Sequence, residues 1–561
     1  MSEAPTPLRA DQPEEPSLVR STAVMAVGTL LSRITGLLRV TVLVGTLGVS
    51  EQRLADVYNV ANTTPNIIYE LVLGGVLSAV FVPVFVEVRR VRGFRQARLV
   101  ANAVMTVTFV ALSLLAIVTV LAAPWIIRVY IHSGSPAERA EAQHVGGQLL
   151  AMFMPQIVFY GVGSVMTALL NANRRFGVPM FAPILNNLVV VAVGLTFHAM
   201  VGGRVPELGD LTTGEKLLLG VGTTLGVVAM TMVQWPFLRR IGFRYSFVWN
   251  LRDAAIRKMA RLSAFTIGYV ITNQLGYLVI PILAYMVQGG YTAYATSFTF
   301  FQLPHGVFAV SVMTALLLPM SEQAVAKDWE AFRSTLARGL RLTAAVLLPA
   351  TIGYLVLAGP IVRLLMAHGV VAPNSNSTLL LTRTMVMFVL GLLPFSTFQL
   401  ILRAFYALQN TRTTFLVNLV STSVNVVANL LLFWVLPQPW KVPGLALGQS
   451  IGYTIGAALL LWRLSQRIGG LGLTPILRVV SRMLLASLIM GVIAALVAAV
   501  VSAAVGIGTL GDLATVVAGV SAGLLAYLVA ARLLRIDEIG AVIDLLRRRV
   551  GGGRGRAKRT G

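Results

Sequence analysis

Apolar residues run along this chain in long blocks separated by short polar joints, and almost nowhere do they alternate with a period of two. A bilayer-crossing helix takes about 20 residues and a transmembrane strand roughly ten, so blocks of this length read as helices. The pattern predicts fourteen spans, at 22–47, 57–87, 99–124, 147–170, 181–201, 215–237, 260–286, 292–320, 335–358, 380–408, 414–436, 444–465, 479–502 and 508–534. The fold class that follows is an all-α polytopic membrane protein.

The joints set the topology. Joints after even-numbered spans are basic: Arg89, Arg90, Arg92, Arg95 and Arg98 follow span 2, and the joint after span 6 runs from Arg239 to Arg261 with seven cations. Joints after odd-numbered spans are nearly free of them, as at Gln288-Gly289-Gly290 and Gly506-Ile507-Gly508. Cations accumulate in cytoplasmic loops, so both termini are expected in the cytoplasm, around an even number of spans.

The chain also repeats itself at a separation of about 230–240 residues. Leu31-Ser32-Arg33-Ile34-Thr35 answers Leu262-Ser263-Ala264-Phe265-Thr266, and Ser78 to Pro83 answers Thr314 to Pro319. Ala168-Leu169-Leu170-Asn171 answers Ala407-Leu408-Gln409-Asn410, and Asn186 answers Asn425. Six spans separate the copies, so both halves keep one orientation, as in two-lobed alternating-access transporters. The expected organisation is a cytoplasmic tail at 1–20, an N-lobe at 21–238, a C-lobe at 239–466, two additional spans at 467–535 and a basic cytoplasmic tail at 536–561.

Composition sharpens this picture. Of 561 residues, 56% are hydrophobic and 12% charged, about half the charged share of a soluble protein, and mean hydropathy is +0.80. Nearly all of the chain is therefore placed in the membrane. In a soluble protein the net charge of +24 would point to nucleic acid; here the loops account for it. The tail Arg547-Arg548-Arg549 and Arg554 to Arg559 reads as an anchor on anionic membrane lipid, not as a nucleic-acid site. The N-terminal stretch with Pro5, Pro7, Pro13 and Pro16 has no apolar core of a secretory signal. With no cysteine and five histidines, disulfides, thiolate metal sites and zinc or iron centres are not expected.

Catalytic motifs are missing: there is no P-loop, HExxH or nucleophile elbow. The chain reads as a transporter rather than an enzyme, without a cofactor, driven by coupling to Na⁺ or H⁺, by membrane potential or by the substrate's own gradient.

Chemistry inside the membrane begins with Arg33 and Arg39, in span 1. A buried guanidinium there costs about 3–15 kcal/mol and normally faces a water-filled cavity, a counter-ion or an anionic substrate. Six positions apart, they differ by about 240° around a straight helix, but Gly36 between them permits a bend. Arginine suits phosphate, through its permanent charge and planar fork of donors. The alternative is a structural pair of Arg33 with Glu70 or Asp56, with Arg39 snorkelling outward. Glu70, mid-span, reads as a counter-ion or a proton-coupling carboxylate, and Asp56 as an acidic partner or a helix N-cap. Asn425 and Asn429 share a face of span 11, with Ser450 in span 12; their oxygens suit Na⁺ or interhelical hydrogen bonds. Gln302 and His305 are assigned to the inner surface of span 8, beside Phe298, Phe300 and Phe301.

Leu31-Ser32-Arg33-Ile34-Thr35-Gly36-Leu37-Leu38-Arg39, Ala55-Asp56, Pro65-Asn66, Phe81-Val82-Pro83, Asn173-Arg174-Arg175-Phe176, Leu303-Pro304-His305-Gly306-Val307 and Ala404-Phe405-Tyr406 resemble the MurJ/MviN family of lipid II flippases. That resemblance covers nearly all of the chain. It implies the multidrug/oligosaccharidyl-lipid/polysaccharide exporter fold, with two six-helix lobes plus two helices associated with a groove for the lipid tail. It further implies a flippase moving undecaprenyl-diphosphate-linked peptidoglycan precursor from the inner to the outer leaflet of the bacterial cytoplasmic membrane. Arg33 and Arg39 match the family's cavity arginines and Asp56 its acidic position in span 2. Its other two cavity arginines fall here at Tyr69 and Thr299. The family's sodium site between spans 7, 11 and 12 corresponds to Asn425, Asn429 and Ser450. The expected substrate-binding set is Arg33, Arg39, Asp56, Glu70, Tyr69 and Thr299. Partners expected are lipid II, anionic lipid and cell-wall synthesis proteins. The alternatives are an exporter of another polyprenyl-linked oligosaccharide or small molecule, and a non-transporting cell-wall scaffold.

Overall fold

A computed structural model describes residues 18–72, 81–250 and 252–540. Most of the N-terminal tail, the repeat residues Ser78 to Val80 and the arginine-rich tail from 541 lie outside the described residues, as does the side chain of Ala264. Among the described residues eighteen α-helices follow in order: α1 (Leu18–Leu47), α2 (Leu54–Val72), α3 (Val82–Tyr130), α4 (Pro136–Phe153), α5 (Gln156–Ala172), α6 (Gly177–Met200), α7 (Thr213–Met232), α8 (Trp235–Arg240), α9 (Ala254–Ala284), α10 (Gly290–Pro304), α11 (Val310–Val325), α12 (Trp329–Met366), α13 (Asn376–Val389), α14 (Leu392–Ala407), α15 (Thr411–Val435), α16 (Lys441–Arg467), α17 (Leu473–Val505) and α18 (Thr509–Leu533). Each of the fourteen expected spans holds at least one of them. Among the described residues, eleven stretches are long and apolar enough to cross a membrane, or twelve when α13 and α14, bent by 44° to each other, count as one. The remaining two expected spans hold α2 and α9.

Several spans are built from more than one helix, for local reasons. Gly93, at φ 79° and ψ 171°, breaks α3 and marks the joint between spans 2 and 3. Span 8 is α10 and α11 joined by a π-turn at His305–Ala309. Helices beginning at the surface use side-chain caps where their first N–H groups lack partners. Ser135 and Glu138 form a capping box at α4, and Thr212 and Glu215 another at α7.

Packing divides the helices into two groups. In the first, α1 lies along α6, α6 along α7, and α3 against α4 and α5. In the second, α16 packs on α13, α14 and α15, while α10 lies on α13. Each group seats an asparagine on a glycine of the next span: Asn186 against Gly226, and Asn425 against Gly452. Gly36 sits beside Asn187 of α6, whose amide donates to the Ser32 carbonyl (3.3 Å) and the Thr35 hydroxyl (3.1 Å). It thus serves helix packing, and α1 runs through it as one helix.

The last two spans, α17 and α18, pack on each other and on α12. Two ion pairs fasten α18 and the segment after it to α12: Arg363 to Asp512 at 2.8 Å and Arg341 to Glu538 at 2.7 Å. Between these pairs Tyr527 donates its hydroxyl to the Ala345 carbonyl at 2.7 Å.

Candidate functional site

Between the two helix groups lies a cavity of about 580 Å³. One wall is a polar stripe on α2, in which Asn59, Asn62, Asn66 and Glu70 recur at helical spacing. The facing walls supply Thr299 and Gln302 from α10, Gln399 from α14, and Asn418, Thr422 and Asn425 from α15. Arg39 and Glu70 are the charged residues among the described lining. The Arg39 guanidinium is half-buried, lies within electrostatic range of Tyr58 and Tyr160, and leaves its Nε without a hydrogen-bond partner.

The expected substrate residues separate. Arg39, Glu70 and Thr299 line the cavity, and the Thr299 hydroxyl is turned back onto the Ala295 carbonyl at 3.1 Å. Arg33 does not share that wall; it lies against Gly306 of the π-turn, exposed, at the seam of α1 and span 8. Glu70 forms no ion pair with either arginine among the described residues. Arg33 is exposed and Arg39 only half-buried, so neither needs a carboxylate partner as a fully buried cation would. Tyr69 packs its ring against Tyr160, tilted by 38° with centroids 4.2 Å apart. Gln302 and Phe298 line the cavity, whereas Phe300 and Phe301 are buried and His305 Nδ1 pairs with the Ser396 hydroxyl at 2.8 Å.

Asp56 occupies the cation-poor end, fully buried. Although it lies in the first turn of α2, it caps a helix of the other group. Its Oδ2 accepts the Gly289 N–H at 2.8 Å; its Oδ1 accepts the Thr292 N–H at 2.9 Å and the Thr292 hydroxyl at 2.8 Å. A carboxylate at a helix N-terminus gains from both the unpaired N–H groups and the helix dipole. Gly289 holds the left-handed φ of 75°, and a Cβ there would meet the Val49 carbonyl oxygen at 2.7 Å.

More contacts cross between the groups at this end. Asn59 donates to the Thr292 hydroxyl at 3.1 Å, and the hydroxyls of Thr63, Tyr291 and Tyr277 form a chain at 2.6 and 2.9 Å. Arg53 donates to the Tyr285 carbonyl at 2.7 Å. The Ser377 hydroxyl donates to Glu51 at 2.7 Å, and the Val370 N–H donates to the Gly45 carbonyl at 3.0 Å. These bonds seal the cavity at its cation-poor end.

The sodium set fits poorly. Asn429 donates to Asn425 Oδ1 at 3.3 Å, and the Ser450 hydroxyl is directed to the Met387 carbonyl at 2.9 Å, across to span 10. Asn429 Oδ1 is the one oxygen of the three residues left unpaired and buried. A hard cation needs several converging oxygens, and this set does not supply them, because Asn425 Oδ1 is taken by Asn429 and the Ser450 hydroxyl points to span 10. A second amide cluster joins span 7 to span 11 in the cavity wall, where Asn273 Oδ1 accepts from Asn418 at 2.9 Å and Thr422 at 3.4 Å.

Apart from Glu70, the α2 stripe is absent from the residues expected from sequence, as are the gate partners of Asp56 and the Asn273 cluster. The stripe carries a signal that periodicity could have found, since four polar residues recur on one face of an apolar helix. The gate does not, because Asp56 and Thr292 are 236 residues apart.

A family model described as "Lipid II flippase MurJ" matches residues 44–517. A probable lipid II flippase MurJ of Rhizobium meliloti (strain 1021) is 28% identical over 479 residues, covering 84% of this chain and 85% of the relative. One from Haemophilus influenzae is 26% identical over 447 residues, covering 77% and 83%. Among solved structures, a lipid II flippase MurJ in an inward closed conformation superposes with a TM-score of 0.72 at 21% identity, covering 92% of this chain and 99% of that one. An inward-facing multidrug resistance MATE family transporter of the MOP superfamily reaches 0.64 at 14% identity, covering 80% and 99%.

Proposed function

Because the chain belongs to the lipid II flippase MurJ family, we propose that it carries lipid II across the membrane by alternating access, moving the headgroup from inner to outer leaflet. It is a multi-pass membrane protein of a transporter family. The basic even-numbered joints support the finer reading, with both termini in the cytoplasm and the protein in the bacterial cytoplasmic membrane. On that reading the sealed, cation-poor end is extracytoplasmic, and the cavity is reached from the cytoplasmic side.

One observation carries the assignment of the site: Arg39, a cation with an unpaired Nε, stands in the wall of a polar cavity sealed at one end. A diphosphate brings negative charge and acceptor oxygens to such a fork, and hydrogen bonds between charged groups are about twice as strong as neutral ones. The amides of α2 and the glutamines of span 8 and span 10 suit the hydroxyls and amides of a glycopeptide headgroup. Rocking of the helix groups then releases Asp56 from the α10 N-terminus and opens the outer side. No step is routed through Na⁺, whose proposed ligands do not converge.

Complementation tests the reading. In a strain depleted of its own lipid II flippase, the chain restores growth and the Arg39→Ala variant does not. Rescue by Arg39→Ala at equal membrane abundance would remove the proposed headgroup site.

A further inference from the structure

We propose that Arg403 of α14 is the second cation for the diphosphate, supplied by the C-terminal helix group at the cytoplasmic mouth of the cavity. The inference rests on the lipid II reading above and adds a residue to that site.

Charge balance raises the question. A diphosphate carries at least two negative charges, and Arg39 is the one cation among the described lining residues. A single guanidinium leaves net negative charge in a low-dielectric wall, which is costly unless another cation shares it. The C-terminal group's own share of the lining is neutral.

The accessibility of α14 locates the missing charge. Beyond Ser396 its residues are buried except Thr397, Gln399, Arg403 and Tyr406. The last three stand at i, i+4 and i+7, one stripe on one face. Gln399 lines the cavity, so Arg403 lies one turn further toward the cytoplasm on the same face. The other faces are covered by α11, α12, α15 and α16, so the stripe opens to the cavity mouth and not to lipid tails.

Two details fix its depth and availability. Ser396, two turns before Arg403, pairs with His305, and the adjacent Gly306 lies beside Arg33. Arg403 therefore lies about 10 Å closer to the cytoplasm than that seam, at 1.5 Å per residue. Long helical side chains lean toward the helix N-terminus, which aims this guanidinium back toward Gln399. It makes no hydrogen bond or ion pair among the described residues, and its electrostatic neighbour is Tyr406. At the matching place in the first repeat, Ser164 is buried and donates to the Tyr160 carbonyl at 2.7 Å. The cation belongs to one lobe only. A headgroup entering from the inner leaflet meets Arg403 first and Arg39 after it, one from each lobe.

The test uses the purified full-length protein in nanodiscs and measures binding of fluorescent lipid II, with polyprenyl monophosphate and phosphatidylglycerol as competitors. Arg403→Ala and Arg403→Gln are expected to weaken lipid II binding about tenfold and to reduce the preference for diphosphate over monophosphate. Arg403→Lys should recover most of the loss, and Arg412→Ala, in the first turn of α15, should bind as the unmodified chain does. Unchanged affinity and preference in Arg403→Ala and Arg403→Gln would overturn the proposal while leaving the flippase reading intact. Equal competition by phosphatidylglycerol would make Arg403 a bulk-lipid contact and also overturn it. If the unmodified chain binds no lipid II, both readings fall.

Discussion

Asp56 Oδ1 accepts both the backbone N–H of Thr292, at 2.9 Å, and its hydroxyl, at 2.8 Å, so one carboxylate of the first helix group caps the opening helix of the second. Asn at position 56 keeps the shape but turns NH₂ toward a donor and removes the charge. Asp56→Asn should cost the closed gate about 2 kcal/mol, roughly thirtyfold in the closed-to-open ratio. The chain has no cysteine, so Ala55→Cys, buried at the gate, reports opening alone. Labelling by an impermeant maleimide from outside should accelerate in the Asp56→Asn background; an unchanged rate would show that the cap does not hold the gate.

Gly289→Ala tests the same gate without touching a charge. The left-handed φ costs a non-glycine residue about 1–2 kcal/mol, and the added Cβ meets the Val49 carbonyl oxygen at 2.7 Å in the closed state. Because Val49 belongs to the opposite group, the clash disappears on opening. The variant should also label faster at Ala55→Cys while retaining expression in the membrane. Equal labelling in Gly289→Ala and its parent would argue that the loop adjusts freely.

How much of this was legible in the sequence depends on whether the determinant is local. The spans follow from block length, and each expected span holds a helix. Arg39 was found because a cation in an apolar block is locally anomalous. Asp56 was also found, but with the wrong local partner: an N-cap within α2 is a short-range idea, whereas its donors come from Gly289 and Thr292 in the other half. Gly36 was expected to bend span 1, yet Asn187 of α6 uses it for close approach, which a single segment does not reveal. The pairing of Asn425 with Asn429 is a local i, i+4 contact within α15, but the turn of Ser450 away from them to the Met387 carbonyl of span 10 is tertiary and not readable from either segment.

Asn429→Ala bears on coupling. Since Asn425 and Asn429 pair with each other and Ser450 turns to span 10, replacing Asn429 should lower stability by about 1 kcal/mol and leave the response to Na⁺ unchanged. Lipid II flipping in proteoliposomes with Na⁺ or choline in the buffer checks this. A Na⁺ dependence of the unmodified chain that Asn429→Ala abolishes would restore the cation site.

Spans 13 and 14 are expected to move with the C-terminal group, because Arg363 and Asp512 are joined at 2.8 Å with little exposure of either. Asp512→Leu leaves Arg363 without its partner and should destabilise the protein by about 3 kcal/mol. Arg363→Met combined with Asp512→Leu should recover most of it. Thermal unfolding of the purified variants in detergent separates these; equal midpoints for the single variant and the unmodified chain would show the pair to be dispensable.

The central claim is that this chain flips lipid II through a cavity in which Arg39 engages the diphosphate. Its most direct measurement is the transfer of fluorescent lipid II between leaflets of proteoliposomes, followed with a membrane-impermeant quencher. The unmodified chain should move the headgroup well above the protein-free rate, and Arg39→Ala should slow it at least tenfold, in line with the loss of a charge-assisted hydrogen bond. Transfer at the protein-free rate by the unmodified chain, or equal transfer by Arg39→Ala, would contradict it.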